Sequence, residues 1–458
     1  MSRVAEELAA FPELIRTLPV VNAPDPVELR AALANRFSFD HPEELLPLTE
    51  EVIDLLRTGL VHVTHPRYFG LFNPSVRPAA VVGDALAALY NPQLAVWSHA
   101  PVVQELERLT LRTFAAALGY HPDTMAAHFT SGGAEANLVG VLLAIAARCP
   151  EAAEQGLAAL PRRPVIYVSG ESHHSFVKIA RMTGLGTAAV REVPVTDRLV
   201  MNVEALDARM RQDISHGLMP LMVVGTAGTT SAGMIDPLPA IADVAALHGA
   251  WFHADAAWGG AAVMSPTLRP LLAGIERADS ITWDAHKWLS VPMGAGMIFT
   301  RHAGAMDRAF NVASSYMPPA ASTITSDPHQ VTPQWSRRAT GLKVFFALAE
   351  LGMEGYGRLI DHQTAMGALL RERLLKAGWI VVNDAVLPVV NFTHPAIREG
   401  RTTTTAVRDA LYASGRVWVS EVQLTGKERV IRACITSYET SPEDIEVLVD
   451  ELERVVDR

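Results

Sequence analysis

The sequence is poor in cysteine and carries more negative than positive charge. Only Cys149 and Cys434 occur among 458 residues. No disulfide framework can be built from them, so we expect two buried structural thiols in a reduced, cytoplasmic protein. Lys and Arg total 39 against 49 Asp and Glu, a formal net charge of -10. This balance gives no electrostatic reason to expect nucleic acid or an anionic membrane as a partner.

The sequence also predicts neither a targeting segment nor a membrane-spanning segment. The first residues, MSRVAEELAAFPEL, carry acids where a signal peptide needs a basic and then an apolar stretch. No window approaches the roughly 20 uninterrupted apolar residues of a membrane span. A composition of 49% hydrophobic and 19% charged residues excludes a disordered chain and suffices for a large core in two or three lobes. We therefore expect a soluble protein that acts on a small molecule.

The chain divides into three parts by its periodicity. Residues 1–75 contain helical stretches with apolar residues at three- and four-residue spacing, typical of an amphipathic arm. Such an arm needs a surface to cover it, which favours a homodimer. Residues 76–345 form a large domain that includes a polar, proline-rich loop at 311–335. Residues 346–458 alternate helix and strand patterns and predict a small α+β domain.

The large domain alternates short apolar runs with helical stretches, which predicts βαβ units and a mostly parallel, buried sheet in an α/β protein. The runs are PVIYVSG, LMPLMVVGTAG, GAWFHADAA, DSITWDAH and GAGMIFT. Ligands of such sheets bind beyond the carboxyl ends of the strands. The polar residues that follow these runs are therefore the first candidates for a functional site.

Two of these runs end in an acid and a lysine. Asp255 lies in HADAAWGG and Lys287 in WDAHKWLS. A buried salt bridge, or two unrelated surface groups, would be the ordinary interpretation. Pyridoxal 5′-phosphate (PLP) chemistry needs the same pair, because its aldehyde binds a lysine amine as a Schiff base. Its pyridine nitrogen needs a carboxylate, since the anion favours the protonated, electron-withdrawing ring.

A phosphate group needs backbone N–H groups at the start of a helix. The stretch TSGGAEAN places Thr130 and Ser131 in a turn and Gly132 and Gly133 before a long helical pattern. An ordinary helix N-cap explains this stretch equally well. The stretch SHHSFVKIA offers His173 and His174 for packing on a flat ring, although an isolated histidine pair is more often structural.

Glycine turn, histidine, Asp255 and Lys287 follow one another in this order, each at a strand end. In this respect the sequence resembles the PLP-dependent group II amino acid decarboxylases, which include the aromatic amino acid, tyrosine and glutamate decarboxylases. The resemblance runs from HPRYFGLFNPS near residue 65 to IRACITSYETSPEDI near the C-terminus. It implies the aspartate aminotransferase fold (fold type I), PLP as cofactor, a dimer, and decarboxylation of an L-amino acid to an amine and CO₂. It implies no metal site.

The resemblance also implies roles for individual residues. Lys287 forms the Schiff base, Asp255 meets the pyridine nitrogen, and Ala257 and His174 cover the two ring faces. Further cofactor contacts are expected at Thr230, Gly133, Ala134 and His286. Many relatives carry Ser or Thr where Ala134 stands, so one hydroxyl contact to the phosphate is absent here. His253 is expected either to bond Asp255 or to fill its strand end.

One departure concerns the group that returns a proton after CO₂ leaves. Relatives commonly use a tyrosine on a mobile loop from the neighbouring subunit, and residues 317–335 contain none. Pro328 and His329 fall near its place, and Tyr316 lies just before the loop. His329 is therefore a candidate proton donor, with a solvated loop histidine as the alternative. Relatives without the tyrosine can turn to oxidative deamination, which makes an aldehyde synthase an open alternative.

The substrate is expected to be an aromatic or large apolar amino acid. Trp97 and Phe72 match aromatic residues of the pocket in relatives, whereas Leu71 and Ala95 stand where others are aromatic. Arg432 matches an arginine of the family and either meets a carboxylate or is structural. Another carbon–carbon lyase or an aminotransferase on the same scaffold stays open as a function. A silent homologue acting as a scaffold is disfavoured, because Lys287 and Asp255 are both present.

Overall fold

The computed structural model describes residues 2–72, 74–318, 321–322 and 325–456. Its helices are α1 Ser2–Leu14, α2 Pro26–Arg36, α3 Leu45–Thr58, α4 Pro78–Tyr90, α5 Pro101–Ala117, α6 Gly133–Arg148, α7 Ala152–Gln155, α8 Ser175–Met182, α9 Val203–Ser215, α10 Leu238–Leu247, α11 Ala305–Phe310, α12 Pro328–Val331, α13 Gly341–Lys376, α14 Pro395–Arg398, α15 Thr404–Ser414 and α16 Pro442–Val456. Its strands are β1 Ala126–Thr130, β2 Pro164–Ser169, β3 Val190–Val193, β4 Met219–Thr226, β5 Trp251–Asp255, β6 Ser280–Asp284, β7 Gly296–Thr300, β8 Ile380–Val381, β9 Val389–Thr393, β10 Ser420–Gln423 and β11 Arg429–Cys434.

The N-terminal arm consists of α1, α2 and α3, as the periodicity predicts. Asp25 caps α2 by accepting from the N–H groups of Val27 and Glu28. Arg57 on α3 donates from Nε and from Nη2 to the two carboxylate oxygens of Glu7 on α1, which ties the two helices together. Large apolar side chains of the arm remain exposed on this protomer, among them Leu8, Leu45, Leu46, Val52 and Leu56.

The large domain is built on a seven-stranded sheet in the order β1-β7-β6-β5-β4-β2-β3. Strands β3, β2, β4, β5 and β6 are parallel, whereas β7 is antiparallel to both of its neighbours. The predicted mostly parallel α/β sheet is confirmed. Every residue of β2, β5, β6 and β7 is buried, which explains why these strands are continuous apolar runs without alternation.

The parallel strands place their carboxyl ends at one edge of the sheet. β5 ends at Asp255 and β6 ends at Asp284, three residues before Lys287. Helix α6 starts at Gly133, three residues after β1, and β1 is antiparallel to β7. Since β7 is also antiparallel to β6, the end of β1 lies at the same edge as the ends of β5 and β6. The topology therefore collects the motif residues at one edge.

The small domain contains an antiparallel sheet in the order β10-β11-β9-β8. Its core includes Leu370, Trp379, Phe392, Ile431 and Leu448. The boundary expected between residues 345 and 346 falls within α13, so the helix carries the chain from one domain to the other. A break in this helix occurs at Gly352, whose φ of 62° is accessible to glycine at little cost.

The loop at 311–335 contains one short helix, α12, which the polar, proline-rich pattern did not predict. Residues 319, 320, 323 and 324 of this loop lie outside the described residues. Cys149 and Cys434 are buried and unpaired, as expected. None of the helices in the described ranges combines the length and the apolar character that crossing a bilayer requires.

Candidate active site

A cavity of about 320 Å³ opens at the carboxyl edge of the large sheet. Its wall combines the ends of β4, β5 and β6 with the start of α6. The residues that line it are Phe72, Ser131, Gly132, Gly133, Ala134, Glu135, Asn137, His173, Thr226, Gly228, Thr230, Asp255, Ala257, Trp258, Asp284, His286, Lys287 and Met293. Seven residues that the sequence named as site candidates are among them: Lys287, Asp255, Ala257, Thr230, Gly133, Ala134 and His286.

Lys287 brings a primary amine into the cavity from the turn after β6. Its side chain is about a quarter exposed, and Nζ lies 3.0 Å from Oδ2 of Asp284. Asp284 is 1% exposed, and its Oδ1 has no hydrogen-bond partner among the described residues. The lysine is thus held within reach of the cavity by a carboxylate on its own turn.

Asp255, at the end of β5, is a buried carboxylate with a defined orientation. Asn137 Nδ2 donates to its Oδ2 at 2.9 Å, and the backbone N–H of Ala257 donates to its Oδ1 at 3.1 Å. The side chain is 4% exposed. Because both oxygens accept hydrogen bonds from fixed donors, the carboxylate is oriented before any ligand arrives.

His253 supports this carboxylate through Asn137 rather than by direct contact. Its Nε2 lies 3.0 Å from Asn137 Oδ1, and its Nδ1 lies 2.8 Å from Ser280 Oγ, which in turn accepts from Trp251 Nε1. Burial lowers the pKa of His253 to about 4, against the opposing pull of Asp255. A neutral imidazole therefore donates from Nε2 to Asn137. The direct bond to Asp255, one of the two alternatives left by the sequence, is thus replaced by an indirect one through Asn137.

The start of α6 forms a narrow shelf beside Lys287. A Cβ at Gly133 would lie 2.7 Å from Oδ2 of Asp284 and 3.2 Å from the Ala257 methyl group, so only glycine fits there. The first intrahelical backbone bond runs from Ala136 to the Gly132 carbonyl, which leaves the preceding N–H groups free for an anion. His286 stands next to this shelf, and burial lowers its pKa.

The structure places His173, and not His174, in the cavity wall. His174 precedes α8, is exposed, and does not line the cavity. His173 Nδ1 accepts from the Ser175 N–H at 3.2 Å, which fixes its ring. The expectation that His174 covers a ring face of the cofactor is thus misplaced by one residue. Both histidines are exposed on this protomer, and the sequence alone did not decide which of the two lines the cavity.

Phe72 lines the cavity, and Arg432 lies behind it against the Phe72 ring without being one of the lining residues. Phe72 adopts the left-handed region, with φ of 61°, and its ring centroid lies 4.9 Å from that of Trp258. The guanidinium of Arg432 lies 5.4 Å from the Phe72 ring and donates to the Thr230 carbonyl at 2.5 Å. Arg432 is 2% exposed, and no carboxylate pairs with it in the described part of the chain.

Trp97 and His329, which were expected at the site, lie elsewhere on this protomer, and so does Tyr316, the neighbouring candidate. Trp97 donates from Nε1 to Glu105 and lines a different cavity. His329 is buried, with Nδ1 3.1 Å from the Ala95 carbonyl and its ring 5.4 Å from that of Trp335. Tyr316 is 73% exposed. None of the three is among the residues that line the Lys287 cavity of its own chain.

Several residues that line the cavity were not singled out from the sequence. Asn137, Trp258 and Asp284 stand inside the motifs TSGGAEAN, HADAAWGG and WDAHKW, so the motifs themselves were a signal. Asn137 lies one turn into α6, where helical spacing turns its side chain back towards the sheet.

These groups fit one cofactor. An amine for an aldehyde, an oriented buried carboxylate for a ring nitrogen, and a glycine shelf at a helix start for a phosphate lie around a single cavity. The fold and the donor set define a fold type I PLP enzyme.

Comparison with known proteins gives the same result. The pyridoxal-dependent decarboxylase conserved domain matches residues 26–394. Cysteine sulfinic acid decarboxylase of Mus musculus is 33% identical over 333 residues, covering 71% of this chain and 67% of the relative. An acidic amino acid decarboxylase of Bos taurus is 28% identical over 422 residues, covering 89% and 80%. The chain belongs to the pyridoxal-dependent decarboxylase family.

Solved structures agree on the fold. The crystal structure of mouse CSAD superposes with a TM-score of 0.90 at 27% identity, covering 98% of this chain and 96% of that one. The structure of Oryza sativa TDC with PLP and tryptamine gives a TM-score of 0.90 at 24% identity, covering 100% and 96%. The protein is a PLP-dependent carboxy-lyase of amino acid metabolism.

Proposed function

We propose that the enzyme decarboxylates an L-amino acid with an acidic side chain, releasing an amine and CO₂. The observation that carries the activity is the placement of the Lys287 amine and the oriented Asp255 carboxylate in one cavity. When bound, PLP supplies the electron sink for the electron pair left by CO₂. The residues of the chain hold and orient the reacting groups.

Each residue of the cavity has a proposed task. Lys287 attaches the cofactor covalently, and Asp255 faces the pyridine nitrogen. The N–H groups at the start of α6, together with His286, receive the phosphate. His173 takes the place on the ring face that the sequence assigned to His174, with Ala257 on the other face. Thr230 lies beside the cofactor and, through its carbonyl, positions Arg432.

The substrate class rests on Arg432. Its guanidinium is buried beside the cavity without a carboxylate partner among the described residues, which suits an anionic substrate group. Two relatives are, by name, decarboxylases of cysteine sulfinic acid and of acidic amino acids. This shifts the preference away from the aromatic substrates favoured by the sequence. Aromatic substrates remain the second candidate, because Phe72 and Trp258 form an apolar side of the cavity.

The active assembly is proposed to be a cytoplasmic homodimer. The exposed apolar side chains of the arm need a partner surface, and a twofold copy supplies one. His329 and Trp97 lie apart from the Lys287 cavity of their own chain, which suits a contribution to the partner's site instead. His329 stays the proposed proton donor.

A substrate panel tests the proposal. Purified protein loaded with PLP is incubated with each of the twenty amino acids and cysteine sulfinate, and CO₂ and amine are measured. We expect CO₂ and amine in equal amounts, fastest with acidic substrates. Arg432→Met should raise KM for acidic substrates far more than for aromatic ones. Turnover confined to aromatic amino acids would overturn the substrate class, and no CO₂ from any amino acid would overturn the function.

A second candidate is an aldehyde-forming reaction. The loop at 317–335 contains no tyrosine to return the proton. Oxygen consumption together with aldehyde, ammonia and peroxide would identify this reaction. Their absence, with a stoichiometric amine product, leaves simple decarboxylation.

A further inference from the structure

Asp284 is a carboxylate that the proposed chemistry does not use. It lies at the end of β6, is 1% exposed, and faces the cavity between Lys287 and the start of α6. Its Oδ1 has no hydrogen-bond partner in the described part of the chain. A buried carboxylate oxygen without a donor costs free energy, so its presence calls for a physical reason.

Asp284 lies beside the Lys287 amine, the His286 ring and the start of α6. Oδ2 lies 3.0 Å from Lys287 Nζ and 3.8 Å from His286 Nε2. The same oxygen stands 2.7 Å from where a Cβ of Gly133 would be, which places it against the first residue of α6. The carboxylate therefore occupies the positive surroundings that would otherwise attract a free anion.

We propose that Asp284 weakens retention of the cofactor's phosphate and makes PLP exchangeable. This inference rests on the proposed phosphate site at the start of α6. In the cofactor-free chain the carboxylate pairs with Lys287. An incoming phosphate meets this negative charge beside the N–H groups of Gly133 and Ala134, where the low local dielectric strengthens the repulsion. Ala134 adds no hydroxyl to offset it.

The test measures ligand binding to cofactor-free protein. Dissociation constants are determined by calorimetry for inorganic phosphate, and by absorbance for PLP and for pyridoxal, which lacks the phosphate. Asp284→Asn keeps the size of the side chain and removes its charge. We expect inorganic phosphate and PLP to bind about ten- to a hundredfold more tightly to this variant. The ratio of PLP to pyridoxal affinity should rise by a similar factor.

Two variants control the measurement. Asp255→Asn removes a charge from the other end of the same cavity and should leave phosphate affinity within about twofold. Asp284→Ser, a smaller neutral replacement, should tighten phosphate binding as Asp284→Asn does, and it serves if the asparagine variant misfolds.

The outcomes separate this inference from the proposed function. Equal or weaker phosphate binding by both Asp284 variants overturns the inference. An equal gain for pyridoxal and PLP also overturns it, because the effect would then come from freeing Lys287. If wild-type protein fails to take up PLP covalently at Lys287, the proposed function fails instead. PLP uptake by wild-type protein without a gain in the variants contradicts only the role of Asp284.

Discussion

Asn137 Nδ2 donates to Oδ2 of Asp255 at 2.9 Å, and this bond ends a chain of hydrogen bonds that begins at Trp251. Ser280 Oγ donates to His253 Nδ1, and His253 Nε2 donates to Asn137 Oδ1. All of these side chains are buried. The carboxylate at the end of β5 is thus held by the interior of the sheet and does not depend on a ligand for its orientation.

Replacing Asn137 by Ala should loosen this carboxylate. The loss removes the donor to Oδ2 of Asp255 and leaves His253 Nε2 only its longer contact to Thr282 Oγ1, at 3.3 Å. We expect a cost of about 1–3 kcal/mol in the free energy of unfolding. The visible absorbance of the bound cofactor should shift or weaken as well. Gln363→Ala is the matched control, because Gln363 is a buried amide that bonds Thr436 far from the cavity. It should cost stability without changing the spectrum, and an unchanged spectrum in both variants would refute the link.

Asp255→Asn should keep the covalent bond between Lys287 and PLP but slow turnover roughly a thousandfold. A neutral amide cannot hold the ring nitrogen protonated, and removal of one positioned electrostatic group typically costs about 3–4 kcal/mol of transition-state stabilisation. Borohydride reduction followed by peptide mapping verifies the covalent bond, and single-turnover kinetics give the rate. Turnover near that of the wild type would disprove the assignment.

Lys287→Ala should abolish activity together with the reducible bond to PLP. Lys287 lies on the turn after β6, and its amine lines the cavity, where it can condense with an aldehyde. Mass spectrometry after borohydride treatment should find label on Lys287 in the wild type and none in the variant. Lys178→Ala on the outer side of α8 serves as control, and label on any lysine other than Lys287 contradicts the assignment.

Stability should fall as the pH is lowered from about 6.5 to 4. Burial lowers the pKa of His128 and of His253 to about 4. The unfolded chain binds these protons near pH 6.5, so between pH 6.5 and 4 it holds more protons than the folded chain and is stabilised relative to it. Each histidine lowers the free energy of unfolding by about 3 kcal/mol once the pH is below 4. Urea unfolding at a series of pH values measures the slope.

The matched pair for this slope is His128→Gln and His121→Gln. His128 is buried beside β7, whereas His121 is an exposed turn residue. The first variant should flatten the dependence between pH 4 and 6.5, and the second should leave it as it is. A slope unaffected by His128→Gln would argue against the buried neutral imidazole.

His329→Ala should slow the return of the proton and raise the share of aldehyde among the products. The side chain is held against the Ala95 carbonyl, which places it at a fixed point of the loop. Product ratios under air and under nitrogen measure the effect, with His302→Ala as a control histidine paired to Asp279. If neither rate nor ratio changes, the donor is another group.

Much of the site follows from the sequence because the topology is simple. Residues that end parallel strands share one edge, so Asp255 and Lys287 had to lie near each other once the strands were recognised. The glycine shelf follows for the same reason, because α6 starts directly after β1. The sequence placed Gly133 before a helical pattern, whereas the need for a glycine there, contact with Asp284 and Ala257, became visible in three dimensions.

Other parts of the site depend on contacts that a linear pattern does not encode. The choice between His173 and His174 is set by the backbone path of residues 170–174, which connect β2 to α8. Asn137 reaches Asp255 across 118 positions of sequence, which no local periodicity reports. Trp97 bonds Glu105 and His329 bonds the Ala95 carbonyl, and these contacts join different elements of the fold. Their distance from the cavity therefore depends on tertiary packing.

The bond from Arg432 to the Thr230 carbonyl also constrains how the enzyme can be rebuilt. Arg432 stands on β11 in the small domain, and Thr230 belongs to the turn after β4 in the large one. The residues that line the cavity all precede Gly352, so chimeras that exchange everything beyond Gly352 keep the cavity wall but replace the guanidinium that lies beside the Phe72 ring. Such a hybrid keeps this contact when the donor chain also places an arginine on its matching strand.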